Sequence, residues 1–559
     1  KVTAASAWQV GTGGPSGTVN GNIANGGTLI FNRSDVFDYS GQISGAGSVV
    51  QQGPGTLTLG GANSHAGGTR INGGVLAVGA DGALGAAAGP LAFDGGTLRL
   101  NAAFDLAASR AVTLGAGGGT VDTQGFTSKI AQPIGGTGAF TKTGAGTLVL
   151  AANNPYSGGT TIVAGTLQLG DGGTSGSIQG NVLNNGTLAF NRSDAIEFSG
   201  SISGSGSVRQ LGTGTTLLSA SSSYSGGTVV KAGTLAVANS NALGTGTLSM
   251  DDGTTLAFAA GGLTLANPIA FTGSKDPVID TGAFDATLSG GMAAGAELTK
   301  PGTGAVVFAP PNNTSTGATT VAAGTLRAGA ANAFSAASAH TVNAGATLDT
   351  AGLAQSVAAL TNGGTVAIVG SAPGNTLTVN GAYVGNNGLL RMGTALAGST
   401  SVSDRLVLNG TGATASGIST IQITNLGGLG AVTTGNGIEV VSATNGAATT
   451  AHVVGEAFLA AADIKMTHVP YKGSAPAMTD LIGGQIPFSM DTVAAAIPQL
   501  KSGKIKAIAV TTAKRSTLLP NVPTVAESGY PGMDASTWIA LVGPHGLPAE
   551  VRAKLGNAL

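Results

Sequence analysis

The residues whose types and spacing could do chemistry are few here, and the most conspicuous occur twice. The pentamer Phe-Asn-Arg-Ser-Asp starts at Phe31 and again at Phe190, 159 residues later. It lies inside the longer matches GTLIFNRSDVFDYSGQISGAGSV (27–49) and GTLAFNRSDAIEFSGSISGSGSV (186–208). Such a charged pentamer could be a duplicated ligand site. It could equally be a chain corner, with Asn32 and Asn191 in a left-handed or Asx turn and Ser34 and Asp35 capping it. Arg33 and Arg192 would then pair with Asp35 and Asp194 on the surface, for about 0–1 kcal/mol each. The duplication favours the corner, because a catalytic site is usually needed once while a structural module can be copied many times.

Other chemistry is thin. The histidines, at 65, 340, 452, 468 and 545, form no His-Glu-x-x-His pair. The chain has no Cys, which excludes disulfides, thiolate zinc sites and a Cys nucleophile. Gly-Ser-Gly stretches such as GSGSV read as turns rather than as a strand–nucleophile–helix elbow, and there is no phosphate-binding P-loop motif. The densest acidic spot, MDDG at 250–253, reads as a turn, and GDGG at 170–173 does not extend into a calcium-binding repeat. This pattern is that of a non-enzyme, with no catalytic residue, metal or cofactor. The acidic clusters that polysaccharide-cleaving β-solenoids carry on one face are missing.

Composition supports a structural role. Gly makes up 96 of 559 residues and aromatics only 4%, too Gly-rich for an ordinary globular enzyme. At 42% hydrophobic the chain is too apolar for a disordered one. A net charge of −1 gives nucleic acid no reason to bind, and no run of 18 apolar residues could cross a membrane as a helix. The chain opens at Lys1 without an apolar leader, which reads as a fragment or a mature product with its signal upstream. Residues 1–450 hold 15 of the 24 Lys and Arg, whereas the last 109 hold 9, with 9 of the 20 prolines. Two kinds of protein are joined near residue 450.

The elements that must position these residues are short strands. Units begin at Gly53, Gly144, Gly212 and Gly302, and within them the glycine pairs 55/74, 146/165, 214/233 and 304/324 are 19, 19, 19 and 20 residues apart. Each carries alternating strands such as TLVL, in which Leu148 and Leu150 share one face, as do Leu57 and Leu59, Leu98 and Leu100, and Leu167 and Leu169. Four-residue strands cannot bury an apolar face alone, but stacked coils of about 20 residues can. The fold class expected is mainly β: a parallel β-helix with Leu and Val ladders inside.

The unit KTGAGTLVLAANNPYSGGTTIVAGTLQLG (142–170) resembles the autotransporter-associated β-strand repeat of bacterial type V secretion passengers. The stretch from Asp404 to Ala447 resembles the C-terminal part of pertactin-like passengers, which caps the β-helix and nucleates its folding in that family. The resemblance implies a right-handed β-helix exported across the outer membrane, with a host or surface ligand as partner. From about residue 448, HVPYKGSAPAMTDLIGGQI, SGKIKAIAVTTAKRS, LPNVPTVAESGYPG and LVGPHGLP are similar to the substrate-binding receptors of tripartite tricarboxylate transporters, the Bug proteins.

Three segments follow: 1–395 as β-helix repeats, 396–447 as the pertactin-like segment, and 448–559 as a small, incomplete α/β periplasmic-binding-protein-like receptor. In the last, strands are expected at 466–469, 486–490 and 505–512, and helices around 475–484 and 492–503. The receptor resemblance implies a small carboxylate bound by Tyr471, Lys472, Gly473, Ser474 and Ala475 before a helix, where free N–H groups favour an anion. Pro476 lies in the first helical turn. Asp491 is either part of that site or the cap of the helix opening at Thr492. Lys472 is expected to be a solvated loop lysine. The passenger reading places the chain at the cell surface or outside the cell if a translocator is supplied, and the receptor reading places it in the periplasm. With no strands of β-barrel length after residue 447, the chain is not expected to display itself.

Overall fold

The computed structural model describes residues 1–273, 277–293, 295, 297–310, 313–397, 401–430, 438–445, 447, 469, 471 and 474–530. The chain forms two compact units, one built on Lys1–Pro310 and the other on Ala318–Leu559. The fold is mainly β.

In the first unit, strands of two to four residues pair in parallel with the coil before and after. They assemble sheets of seven, nine and nine strands. Register follows the glycine spacing: Leu148 pairs with Leu167, Leu167 with Leu188 and Leu188 with Val208. All four are fully buried and stack as one interior ladder. The alternation sets this arrangement: in TLQL (166–169), Leu167 and Leu169 are buried while Thr166 and Gln168 are half-exposed. Burying one such side chain contributes about 1.5–3 kcal/mol, so neighbouring coils stabilise what one strand cannot.

The second unit is also built on parallel pairing, with some longer strands. Strand β1 (Ala382–Ala395) and strand β2 (Thr414–Gly427), each of 14 residues, run side by side in parallel. A four-stranded sheet joins Gln355–Val357, Thr376–Val379, Arg405–Asn409 and Val441–Thr444. Asp404 is buried and accepts hydrogen bonds from the backbone N–H groups of Gly374, Asn375 and Gly393.

The receptor-like segment contributes helix α1 (Ser474–Ile482) and helix α2 (Val493–Lys501). The strands expected at 486–490 and 505–512 do not form. Among the described residues, the segment's β pairing is one bridge between Val510 and Thr524, and Ile508 is 68% exposed. A lone apolar run is no strand without neighbours to take its backbone groups. Of the strand expected at 466–469, only Val469 lies within the described residues.

Candidate functional site

The repeated pentamer is a corner, but its arginines are not on the surface. Phe31 and Phe190 end strands Thr28–Phe31 and Thr187–Phe190, and the chain bends at Ser34–Asp35 and Ser193–Asp194 before the next strand. Neither Asn32 nor Asn191 is left-handed; positive φ belongs to the loops that the arginines hold, at Gly11, Gly13 and Gly17 and again at Gly170, Gly172 and Gly176.

Arg33 is 8% exposed and Arg192 7%. Arg33 donates from Nε and Nη2 to the two carboxylate oxygens of Asp35 (2.9 and 2.6 Å), and its Nη groups donate to the carbonyls of Gly17 and Pro15. It also stacks 4.7 Å from the centre of the Phe37 ring. Arg192 repeats this with Asp194 (2.9 and 2.7 Å), Gly176 O (3.2 Å) and Thr174 O. Each arginine locks a Gly-rich loop of the coil before it, whose strand ends at Val10 or Leu169 and pairs with the arginine's own strand. GTGGPSG (11–17) and GDGGTSG (170–176) are again 159 residues apart, a signal in the sequence that the pentamer alone does not convey. Asp35 and Asp194 are held below the usual carboxylate range by hydrogen bonds from these arginines. The coil above must then be glycine: a Cβ at Gly53 or Gly212 would collide with the Arg33 or Arg192 carbonyl. The crevice beside Arg33, lined by Phe31, Asp35, Phe37, Gln51 and Leu57, is too small to admit a water molecule, so the pentamer is an internal clamp.

A second pair mimics a catalytic dyad. His65 Nε2 and Thr69 Oγ1 are 3.0 Å apart, a base beside a hydroxyl, yet both residues are buried and Thr69 donates to Leu84 O (2.9 Å). The equivalent positions of the next units hold Tyr156 with Thr160 (2.8 Å) and Tyr224 with Thr228 (2.5 Å). His65 therefore fills a tyrosine's structural place. Burial, with Arg110 nearby, pushes its pKa down to about 4. His340, stripped of solvent, is likewise pushed down to about 4; His452, His468 and His545 lie outside the described residues. Asp251 of MDDG pairs with Lys231 (2.8 Å), and no metal-holding cluster of His, Asp and Glu occurs among the described residues.

Four of the residues expected to hold a carboxylate, Tyr471, Ser474, Ala475 and Asp491, lie within the described residues. Ser474 opens α1, and its Oγ donates to Asp491 Oδ1 (2.6 Å), so these two come together. Asp491 does not cap α2. Thr492 does, its Oγ1 accepting from Ala495 N (3.3 Å), because it stands one residue closer to the first turn; Asp491 accepts from Thr492 N (2.7 Å) instead. Tyr471 turns its hydroxyl onto Asp480 (2.7 Å), and that bond raises its pKa. Ala475 lies in the first turn of α1. Lys472 and Gly473 lie outside the described residues.

Comparison with known families finds three kinds of match along the chain, the last two overlapping between residues 423 and 462. The passenger-associated-transport-repeat matches residues 49–78, 140–169, 208–237 and 298–328. The type 1 autochaperone domain matches 356–462, and the tripartite tricarboxylate transporter family receptor matches 423–559. The chain carries passenger-associated-transport repeats and an autochaperone domain, and its C-terminal segment belongs to the tripartite tricarboxylate transporter receptor family. The passenger part is similar to the adhesin BmaC autotransporter of Brucella suis, 43% identical over 148 residues, covering 26% of this chain and 4% of that protein. The receptor part is similar to protein BugT of Bordetella pertussis, 37% identical over 113 residues, covering 20% of this chain and 35% of BugT. It is also 32% identical over 115 residues to the UPF0065 protein in the clcB-clcD intergenic region of Pseudomonas knackmussii, covering 20% of this chain and 68% of that protein. The chain thus spans 4% of BmaC and 35% of BugT. None of the matched families is an enzyme family.

Proposed function

We propose that this chain is a non-enzymatic passenger whose β-solenoid serves adhesion or another structural role at the cell surface. The observation that carries this reading is the coincidence of four passenger repeats and an autochaperone domain with a solenoid interior filled by side chains. The charged residues of the pentamer are spent on locking loops, so recognition falls to the outer faces and loops. The 43% identity to a protein named as an adhesin points the same way. The test is saturable binding of the purified full chain to intact host cells and immobilised matrix glycoproteins, with BugT as a control. Binding by this chain and not by BugT supports the reading; binding by neither overturns it.

A second reading concerns the receptor segment alone: a small carboxylate held by Tyr471, Lys472, Gly473, Ser474 and Ala475 at the start of α1, with Asp491 beside it. At that helix start the Ser474 hydroxyl already holds one carboxylate, that of Asp491. An open helix N-terminus gives an anion only about 0.3–1 kcal/mol, and the aspartate carboxylate already sits there, so weak binding is expected. Calorimetric titration of the full chain with dicarboxylates and acidic amino acids tests this. A micromolar dissociation constant would make periplasmic solute capture the better account of the chain.

A further inference from the structure

One interior position recurs in all four repeats and is polar in each. It lies two residues before the glycine that opens the unit: Gln51, Lys142, Gln210 and Lys300. All four side chains are buried, at 2% exposure or less. Each ties down the carbonyl two residues on: Gln51 Nε2 donates to Gly53 O (2.8 Å), Lys142 Nζ to Gly144 O (2.8 Å), Gln210 Nε2 to Gly212 O (2.8 Å) and Lys300 Nζ to Gly302 O (2.6 Å). The two glutamines add a second carbonyl, Gly55 O and Gly214 O. Lys142 adds Thr143 O (2.7 Å) and Ala164 O (3.2 Å).

The duty is therefore to lock the turn with N–H donors, and a neutral amide meets it with two. A lysine there brings a charge the duty does not need. Lys142 stands in an interior ladder between Val121 and Ile162. On one side, the strand Gly119–Asp122 presents Asp122, which accepts from Arg99 Nε (3.1 Å) and from Gln124. On the other, the strand Thr160–Ile162 presents no charged group. The ammonium donates to the carbonyls of Thr143, Gly144 and Ala164. Losing a proton leaves the amine two N–H groups, so it keeps two of its three carbonyls, as many as the amide of Gln51 or Gln210 holds.

We propose that Lys142 is a proton-linked weak point in the solenoid: its coil opens most readily with the ammonium charged and tightens as the amine sheds its proton. The direction follows from linkage. The open coil binds the proton at the ordinary lysine value, 10.5, whereas burial lowers the closed coil's value to about 8. The closed form thus binds fewer protons between these values, and its stability rises with pH across that window. Lys300 carries the same shift to about 8, with Asp280 and Asp285 favouring its charge.

Hydrogen exchange read by mass spectrometry on the full chain at pH 7 and pH 9, corrected for intrinsic rates, tests this. From the values 8 and 10.5, opening over residues 140–166 should fall about tenfold between those pH values. Lys142→Gln should remove that dependence while keeping the turn closed, and Gln210→Lys should import it into residues 208–233. A flat wild-type profile, or an unchanged dependence in Lys142→Gln, overturns the proposal. If Lys142→Gln does not fold, the wild type and Gln210→Lys decide between them.

Discussion

Replacing Arg192 with Ala is the sharpest test of the clamp. A surface ion pair at this corner would be worth so little that the substitution would pass unnoticed. The structure instead places a 7%-exposed guanidinium on the carbonyls of Gly176 and Thr174, with the Asp194 carboxylate on its open side. Hydrogen bonds from a charged donor contribute about 1–3 kcal/mol when lost with a buried partner left behind. The loop's positive-φ glycines give it many alternative conformations once released. Two carbonyls at the low end of that range come to about 2 kcal/mol, which is roughly thirtyfold in a local opening equilibrium. A solenoid does not unfold in one step, so the assay is hydrogen exchange over residues 170–177, where Gly172 N donates to Asn191 O (2.9 Å). Exchange there should rise roughly thirtyfold while coils several strands away stay unchanged. Arg33→Ala should repeat the effect over residues 11–17, since Arg33 likewise holds two loop carbonyls and the aspartate two residues on. Exchange within twofold of wild type at both loops would refute the clamp and restore the surface pair.

Leu148→Asp should cost several kcal/mol and open the adjoining coils, because a charge would replace a fully buried ladder residue between Ser128 and Leu167; protease sensitivity between residues 127 and 190 checks it. Acid should destabilise the chain between pH 6.5 and about 4. His65 and His340 are held below their ordinary 6.5, so the native state refuses protons that the unfolded state takes, and the stability present above 6.5 is lost as pH falls. The loss is at most roughly 3 kcal/mol per histidine, measured by denaturant midpoints at pH 7, 5 and 4. His65→Tyr, which installs the residue of the next two units, should keep the bond to Thr69 and reduce that acid sensitivity. Thr492→Ala should loosen the first turn of α2 by about 1 kcal/mol, seen as faster exchange over residues 493–501.

The solenoid was legible because its information is local. Alternation in TLVL and glycine spacing of 19 to 20 residues fix which side chains point inward and how far the next coil lies. The corner at the pentamer was legible for the same reason. The burial of its arginine was not, because the carbonyls that receive it sit 16 to 18 residues earlier, in a loop that composition marks only as flexible. Helices α1 and α2 could be read from their periodicity. The strands expected beside them could not be relied on, because a strand is a property of its neighbours, and Val510 with Thr524 is all the pairing that the described part of that segment offers. Of the residues expected to hold a carboxylate, the sequence indicated a helix from about Ala475, one residue after the structure opens it at Ser474; the contact of Asp491 with that serine spans 17 residues and no local pattern encodes it.

What repeats inside this solenoid is hydrogen-bonding duty more than residue identity. A tyrosine or a histidine can reach the threonine four residues on, provided it offers a polar atom at the end of a flat ring. A glutamine or a lysine can lock the turn, provided it offers two N–H groups. Each exchange keeps the coil's geometry but changes its proton chemistry, since tyrosine and glutamine stay neutral where histidine and lysine titrate. Burial pushes both titrating groups toward their neutral forms, so in each case the coil is most secure on the alkaline side. Coils built on Gln210 and Tyr224 carry no such dependence at these positions. A solenoid whose coils share one fold can therefore differ, coil by coil, in how readily each opens at a given pH, and the choice rests on single interior side chains that leave the outer surface untouched.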